Sequence, residues 1–74
     1  MIIGIPKEIK NNEFRVGLTP SLVNGLNRQG HSVLVEKNAG AQIGFADAQY
    51  QAAGATLLED AKSVFAAAEL IVKV

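Results

Sequence analysis

Apolar residues along the chain fall into short β-branched or aliphatic runs separated by stretches with helical spacing. Ile2, Ile3 and Ile5 form the first run, and Pro6 ends it, since proline cannot donate to a sheet ladder. A first strand is predicted there. The segment from Pro6 to Leu18 is polar and without clear period, and reads as a loop or irregular extension. Thr19 then offers an N-cap hydroxyl and Pro20 occupies the first helical position, while Leu18 and Val23 have the spacing of a hydrophobic staple. A helix beginning at Pro20 would bury Leu22, Val23 and Leu26, lose about 1 kcal/mol at Gly25 relative to alanine, and end at Gly30 in the left-handed conformation. Ser32 to Glu36 is nearly continuously apolar, as in a parallel strand covered on both faces.

Further along, Gly40 and Gly44 mark a loop, Asp47 is placed to cap a short helix that stops at Gly54, and Thr56 to Leu58 predicts a brief third strand. Asp60 can cap another helix, with Ala61, Val64, Phe65 and Ala68 at helical spacing, before a closing strand from Leu70 to Val74. Strands alternating with helices favour parallel pairing and right-handed crossovers. The expected fold is therefore α/β, an open parallel sheet with flanking helices of the Rossmann-like or flavodoxin-like kind.

Composition narrows what such a domain does. Its 74 residues allow at most one domain, and a domain of that size buries only about 60% of the surface its unfolded chain exposes. An apolar share of 49% with only 5% aromatics calls for an interior of aliphatics and alanine. Seven basic and seven acidic residues give a net charge of zero and form no basic block, which argues against a nucleic-acid partner. With no cysteine there is neither a disulfide frame nor a thiolate nucleophile, in keeping with a cytoplasmic setting. No charged region precedes the first apolar run, as a signal peptide would require, and no run approaches the roughly 18 residues that span a bilayer. A soluble chain with no membrane partner is expected. Because Leu70 to Val74 has no turn or polar tail after it, the chain also reads as the beginning of something longer.

Candidate chemistry concentrates in Lys7, Glu8, Lys10, Asn11, Asn12, Glu13 and Arg15, between a strand and a helix start. Loops at the carboxyl ends of parallel strands are where α/β folds bind ligands. Arg15 carries a permanent charge on a planar fork that can grip a carboxylate through two parallel hydrogen bonds. On pattern alone, a surface ion pair of Arg15 with Glu8 or Glu13 is the commoner role. His31, the sole histidine, sits at a helix-to-strand turn where an imidazole can help satisfy helix-end carbonyls, a structural role rather than general-base work. Gly40 and Gly44 have three residues between them, which does not meet the dinucleotide-binding spacing, and read as a turn. Nothing in the sequence brings Glu8 and Glu13 together for acid/base work.

The run Gly4-Ile5-Pro6-Lys7-Glu8-Ile9-Lys10-Asn11-Asn12-Glu13-Phe14-Arg15-Val16-Gly17-Leu18-Thr19-Pro20 resembles the start of the alanine dehydrogenases. That group also includes the alpha subunit of the proton-translocating nicotinamide nucleotide transhydrogenases. The likeness continues through Gly30-His31-Ser32-Val33, Asn38-Ala39-Gly40-Ala41, Ala52-Ala53-Gly54-Ala55 and Leu70-Ile71-Val72-Lys73-Val74, so it covers essentially the whole chain. The wording Lys-Asn-Asn-Glu-Phe-Arg-Val is nearer to the dehydrogenases than to the transhydrogenases.

This resemblance implies an enzyme that oxidises L-alanine with NAD to pyruvate and ammonia, with Arg15 as the residue that binds the substrate carboxylate. It makes residues 1–74 the N-terminal part of a substrate-binding domain, with the NAD-binding Rossmann domain lying beyond this chain. The family continues the last strand as Lys-Val-Lys-Glu-Pro and uses its second lysine in the active site, so Lys73 matches the non-catalytic first one. The family's catalytic histidine and aspartate also lie further along. The 74 residues alone are accordingly expected to be inactive and to carry no catalytic residue, cofactor ligand or metal ligand. Complete family members are typically homo-hexamers. The alternatives are the equivalent piece of a transhydrogenase alpha subunit and a freestanding module that captures small carboxylates through Arg15.

Overall fold

In a computed structural model of the chain, residues 1–8, 17–41 and 44–72 are described. Strand β1 runs Ile2–Ile5, helix α1 Pro20–Arg28, strand β2 Ser32–Glu36, helix α2 Asp47–Ala52, strand β3 Thr56–Leu58, helix α3 Ala61–Ala67 and strand β4 Leu70–Ile71. Every described pairing is parallel, and the order across the sheet is β3-β2-β1-β4. The alternation of elements and the α/β class follow the sequence pattern. The order matches the 3-2-1-4 start of the Rossmann type and not the flavodoxin order, in which the third strand would lie beside the first.

Side-chain parity assigns the faces. Ile5, Val33 and Val35 point to one side, where Val23 of α1 and Tyr50 of α2 complete a core with Ala39, Ala53 and Ala55. Gly4 points to the other side, where α3 packs so closely that a Cβ at Gly4 would lie 2.7 Å from Ala68 Cβ and 2.7 Å from Val64 Cγ1. The chain steps outward from β1 to β3 and then returns to the far side of β1. Right-handed crossovers running in opposite directions put their helices on opposite faces, as seen for α1 and α2 against α3.

The helix ends obey local chemistry. Thr19 Oγ1 accepts from Leu22 N at 3.4 Å, with Pro20 next to it. At the other end of α1, Gly30 at φ +94 donates to Asn27 O at 3.1 Å and His31 N donates to Leu26 O at 3.1 Å, a Schellman closure. α2 closes the same way, Gly54 N on Gln51 O at 3.0 Å and Ala55 N on Tyr50 O at 3.0 Å. α3 is capped by the Asp60 carboxylate, which accepts from Ser63 N at 2.8 Å and is held below the usual carboxylate range by that bond.

Four expectations need correction. Leu22 is 56% exposed, because the buried stripe of α1 centres on Val23 and leaves Leu22 on its edge. Phe65 is 51% exposed, since α3 turns its narrow Val64 and Ala68 side toward Gly4 and leaves its bulky ring outside. The cap of α2 is Ala46, whose N–H donates to Gln49 Oε1 at 2.7 Å, while Asp47 lies inside the helix and its carboxylate accepts from Asn38 N at 2.8 Å. At the end of α1 the His31 backbone, not its ring, meets the helix carbonyls. The ring Nδ1 instead accepts from the Met1 ammonium at 3.3 Å. The last strand is described over Leu70–Ile71, with Val72 N still donating to Gly4 O at 2.9 Å, and residues 73 and 74 lie outside the described residues.

Gly54 combines φ +103 with close approach of the Asn27 side chain, so an added Cβ meets both backbone strain and steric overlap. Gly54→Ala is expected to lower stability by about 1–2 kcal/mol. Urea unfolding of the protein carrying this segment measures it, and an unchanged midpoint would contradict this account of the turn.

Candidate functional site

The carboxyl ends of the strands form one rim, and the reversal between β1 and β4 makes it a topological switch point. Loops leaving neighbouring strands at such a point turn to opposite faces and open a crevice between them, the usual ligand position in open α/β sheets. The residues that leave β1 are buried Pro6, exposed Lys7 and half-buried Glu8, and the residue that leaves β4 is Val72.

The segment that follows β1 is tied where it departs and where it returns. At its departure Lys7 N donates to Glu36 Oε1 at 2.7 Å, so the last residue of β2 holds the first turn after β1. At its return the Tyr50 hydroxyl donates to Leu18 O at 2.8 Å. Tyr50 is fully buried, and burial raises its pKa above the ordinary phenol value, which keeps the hydroxyl protonated and able to donate. Its ring lies against the backbone of Gly40, where a Cβ would come within 2.9 Å of both Cε2 and the hydroxyl oxygen. Gly40 is thus small because both the tyrosine ring and Phe45 Cβ, which an added Cβ would meet at 2.8 Å, need the space. Arg15, Glu13 and Lys73 lie outside the described residues.

Six of the described amides in and beside the loop after β2 are engaged internally. Asn38 N donates to Asp47, Ala39 N to Glu36 O, Ala41 N to Asn38 O, Gly44 N to Ala41 O, Phe45 N to Gly40 O and Ala46 N to Gln49. A phosphate cradle works by converging free amides on an anion, and these amides converge on the protein's own oxygens. The loop is a turn, with Gly44 at φ +88. Lys37 and Glu59 close the neighbouring edge with a 2.6 Å ion pair that raises the lysine pKa. Among the described residues, no group of three or more His, Asp or Glu side chains is arranged to hold a metal ion, and no helix is long and apolar enough to cross a membrane.

Sequence reasoning missed Tyr50, Gly40 and Glu36 as structural supports of this rim. The available signal for Tyr50 was that it is the sole tyrosine, placed in a short helix otherwise made of small and polar residues. Its acceptor, 32 positions away, carries no sequence mark at all.

The family model for the alanine dehydrogenase/PNT N-terminal domain matches residues 4–74. The chain belongs to this family. Alanine dehydrogenase of Methanococcus maripaludis is 53% identical over all 74 residues, and that of Bacillus subtilis (strain 168) is 54% identical over the same span. These alignments cover 20% and 19% of the two relatives, so the chain spans about a fifth of the length of the proteins it matches. Among solved structures, an L-alanine dehydrogenase superposes with a TM-score of 0.95 at 52% identity, covering 99% of this chain and 20% of that one. A transhydrogenase from Sinorhizobium meliloti superposes with a TM-score of 0.85 at 36% identity, covering 99% of this chain and 21% of that one. The four-stranded order and its switch point are therefore those of this family's N-terminal domain.

Proposed function

We propose that this chain is the N-terminal segment of the substrate-binding domain of an NAD-dependent alanine dehydrogenase, and that Arg15 grips the substrate carboxylate. The overall reaction is L-alanine + NAD⁺ + H₂O giving pyruvate + NH₄⁺ + NADH + H⁺. The observation that carries this reading is the full-chain likeness to alanine dehydrogenases at 53% and 54% identity, against 36% for the transhydrogenase structure. The switch point supports it, because the segment bearing Arg15 leaves and re-enters the fold at that rim.

The arginine's part is to bind and orient. Two parallel hydrogen bonds from a planar guanidinium fix a carboxylate in distance and in rotation, which restricts where the substrate α-carbon can lie. Its charge is permanent, so it exchanges no proton with the substrate. NAD, when bound, accepts the hydride. No NAD contact is assigned to the described residues, six of whose amides in and beside the glycine-containing loop are engaged with the protein's own oxygens. The proton-transfer groups and the dinucleotide-binding domain belong in this reading to the remainder of the subunit. The complete protein is a cytoplasmic homo-oligomer.

Expression of the complete reading frame tests the proposal. L-Alanine-dependent NADH formation is expected from it and not from the 74-residue chain alone. Hydride exchange between NADH and NADP without an alanine reaction would favour the transhydrogenase alpha subunit, the second reading, which the 0.85 superposition keeps in view. Pyruvate binding by the short chain that Arg15→Ala abolishes would favour the third, a freestanding carboxylate-binding module.

A further inference from the structure

We propose that Asn24 is a guarded site of spontaneous covalent modification: while α1 is closed its side chain is inert, and each opening of the helix lets it convert to aspartate or isoaspartate. Asn24 and Gly25 form the only Asn-Gly pair in the chain. Both are exposed, and a Cβ added at Gly25 would have no neighbouring atom within 4 Å. With no side chain on the glycine, its amide nitrogen is open to the Asn24 side chain and to water. The other described asparagines differ. Asn27 precedes Arg28 and its side chain lies where a Gly54 Cβ would come, while Asn38 precedes Ala39, whose amide donates to Glu36 O at 3.1 Å.

The step needs no reagent but water. The Gly25 amide nitrogen, losing its proton to a solvent base, attacks the carbonyl carbon of the Asn24 side chain. The side-chain nitrogen leaves as ammonia and a cyclic succinimide forms. Water then opens either ring carbonyl, giving aspartate or isoaspartate, so the sum is asparagine plus water to a carboxylate plus ammonium. In isoaspartate the main chain runs through the former side chain and gains a carbon in mid-helix. That insertion breaks the i→i−4 ladder directly after Val23, which is fully buried in the core.

The helix is the guard. Helical backbone angles turn the next residue's amide away from the side-chain carbon it would attack, and the hydrogen-bond ladder keeps that amide occupied. Yet α1 guards weakly. It has nine residues, below the roughly 12–15 at which an isolated helix becomes marginal, and Asn24, Gly25 and Asn27 are all poor helix formers. The side-chain bond that closes its first turn, from Leu22 N to Thr19 Oγ1, is 3.4 Å long. Packing through Val23 therefore holds the closed form, and local opening of α1 sets the rate of the reaction.

The test ages the complete subunit at physiological pH and temperature beside a synthetic peptide of residues 18–30. Peptide mapping that separates asparagine, aspartate and isoaspartate follows Asn24 in both. Conversion at Asn24 is expected to exceed that at Asn27 and Asn38, and to run at least about tenfold slower than in the unfolded peptide. Thr19→Ala removes the cap without touching the reacting atoms and should speed conversion about fivefold, the effect of one lost cap on a helix-opening equilibrium. Gly25→Ala should slow it about tenfold or more, by shielding the nitrogen and strengthening the helix. If Thr19→Ala does not yield folded protein, urea below the unfolding transition opens α1 instead, and the rate should climb with its concentration. An Asn24 that stays intact long after the peptide has converted fully overturns the proposal. So does a rate equal to the peptide's, or one that neither Thr19→Ala nor urea moves.

Discussion

Arg15→Ala in the complete subunit is expected to lower kcat/KM for L-alanine by about a hundredfold to several thousandfold. Removing one partner of a desolvated, hydrogen-bonded charge pair costs about 3–5 kcal/mol, and each 1.4 kcal/mol is a factor of ten. The loss should appear in KM first and in kcat as well, because a carboxylate held loosely also leaves the α-carbon poorly aimed. Arg15→Lys keeps the charge and loses the fork, so it should recover part of the binding and little of the alignment. Thermal stability should change little in either variant. Steady-state kinetics in both reaction directions, together with a melting curve, measure this. A kcat/KM within about threefold of the parent for Arg15→Ala would return this arginine to the surface ion-pair role that its residue type alone suggests.

The second large effect concerns stability and falls on Gly4. Nothing in its backbone forbids a side chain, and the constraint is entirely the approach of α3. A Cβ there would lie 2.7 Å from Ala68 Cβ and from Val64 Cγ1, and 3.0 Å from Ile71 Cδ1. The Ala68 methyl is fixed to the backbone and cannot rotate away, so the helix itself must shift. Gly4→Ala is expected to destabilise the protein by about 2–3 kcal/mol and Gly4→Val by more, since overpacking typically costs 1–3 kcal/mol per strained insertion. The shift would also load β4, which pairs with β1 through Ile3 and Gly4. Adding Ala68→Gly to Gly4→Ala removes one of the overlapping carbons and should restore about half of the loss. Denaturant unfolding of the three variants reads this directly. An unaffected Gly4→Ala would mean that the α3 packing is softer than these distances imply.

The two predictions differ in what made them visible. Arg15 stands out from the sequence because the motif around it is long and specific, whereas the described structure supplies only the ties at Lys7 and Leu18 on either side of it in the chain. Gly4 carries no functional mark and sits in a β-branched run where glycine looks out of place, and only the helix on the opposite face explains it. Tyr50 lies between these cases. Its rarity is legible, but its partner Leu18 is found only by folding the chain.

The same division runs through the fold. The start of α1 and the ends of α1 and α2 were legible because their causes are adjacent in the chain: a threonine hydroxyl beside a proline, and a glycine free to take positive φ where the last carbonyls need closing. Strand identity was legible from β-branched runs, and parallel pairing from their alternation with helices. The sequence alone therefore determined the element order, the α/β class and the family, through local steric rules and one unbroken motif. Tertiary structure alone decided that β4 lies beside β1, and so where the switch point falls. It also decided that Leu22 and Phe65 face outward, and that Tyr50 reaches Leu18. Those outcomes depend on contacts between residues far apart in the chain, which local chemistry permits in several ways and only simultaneous packing of both sheet faces selects.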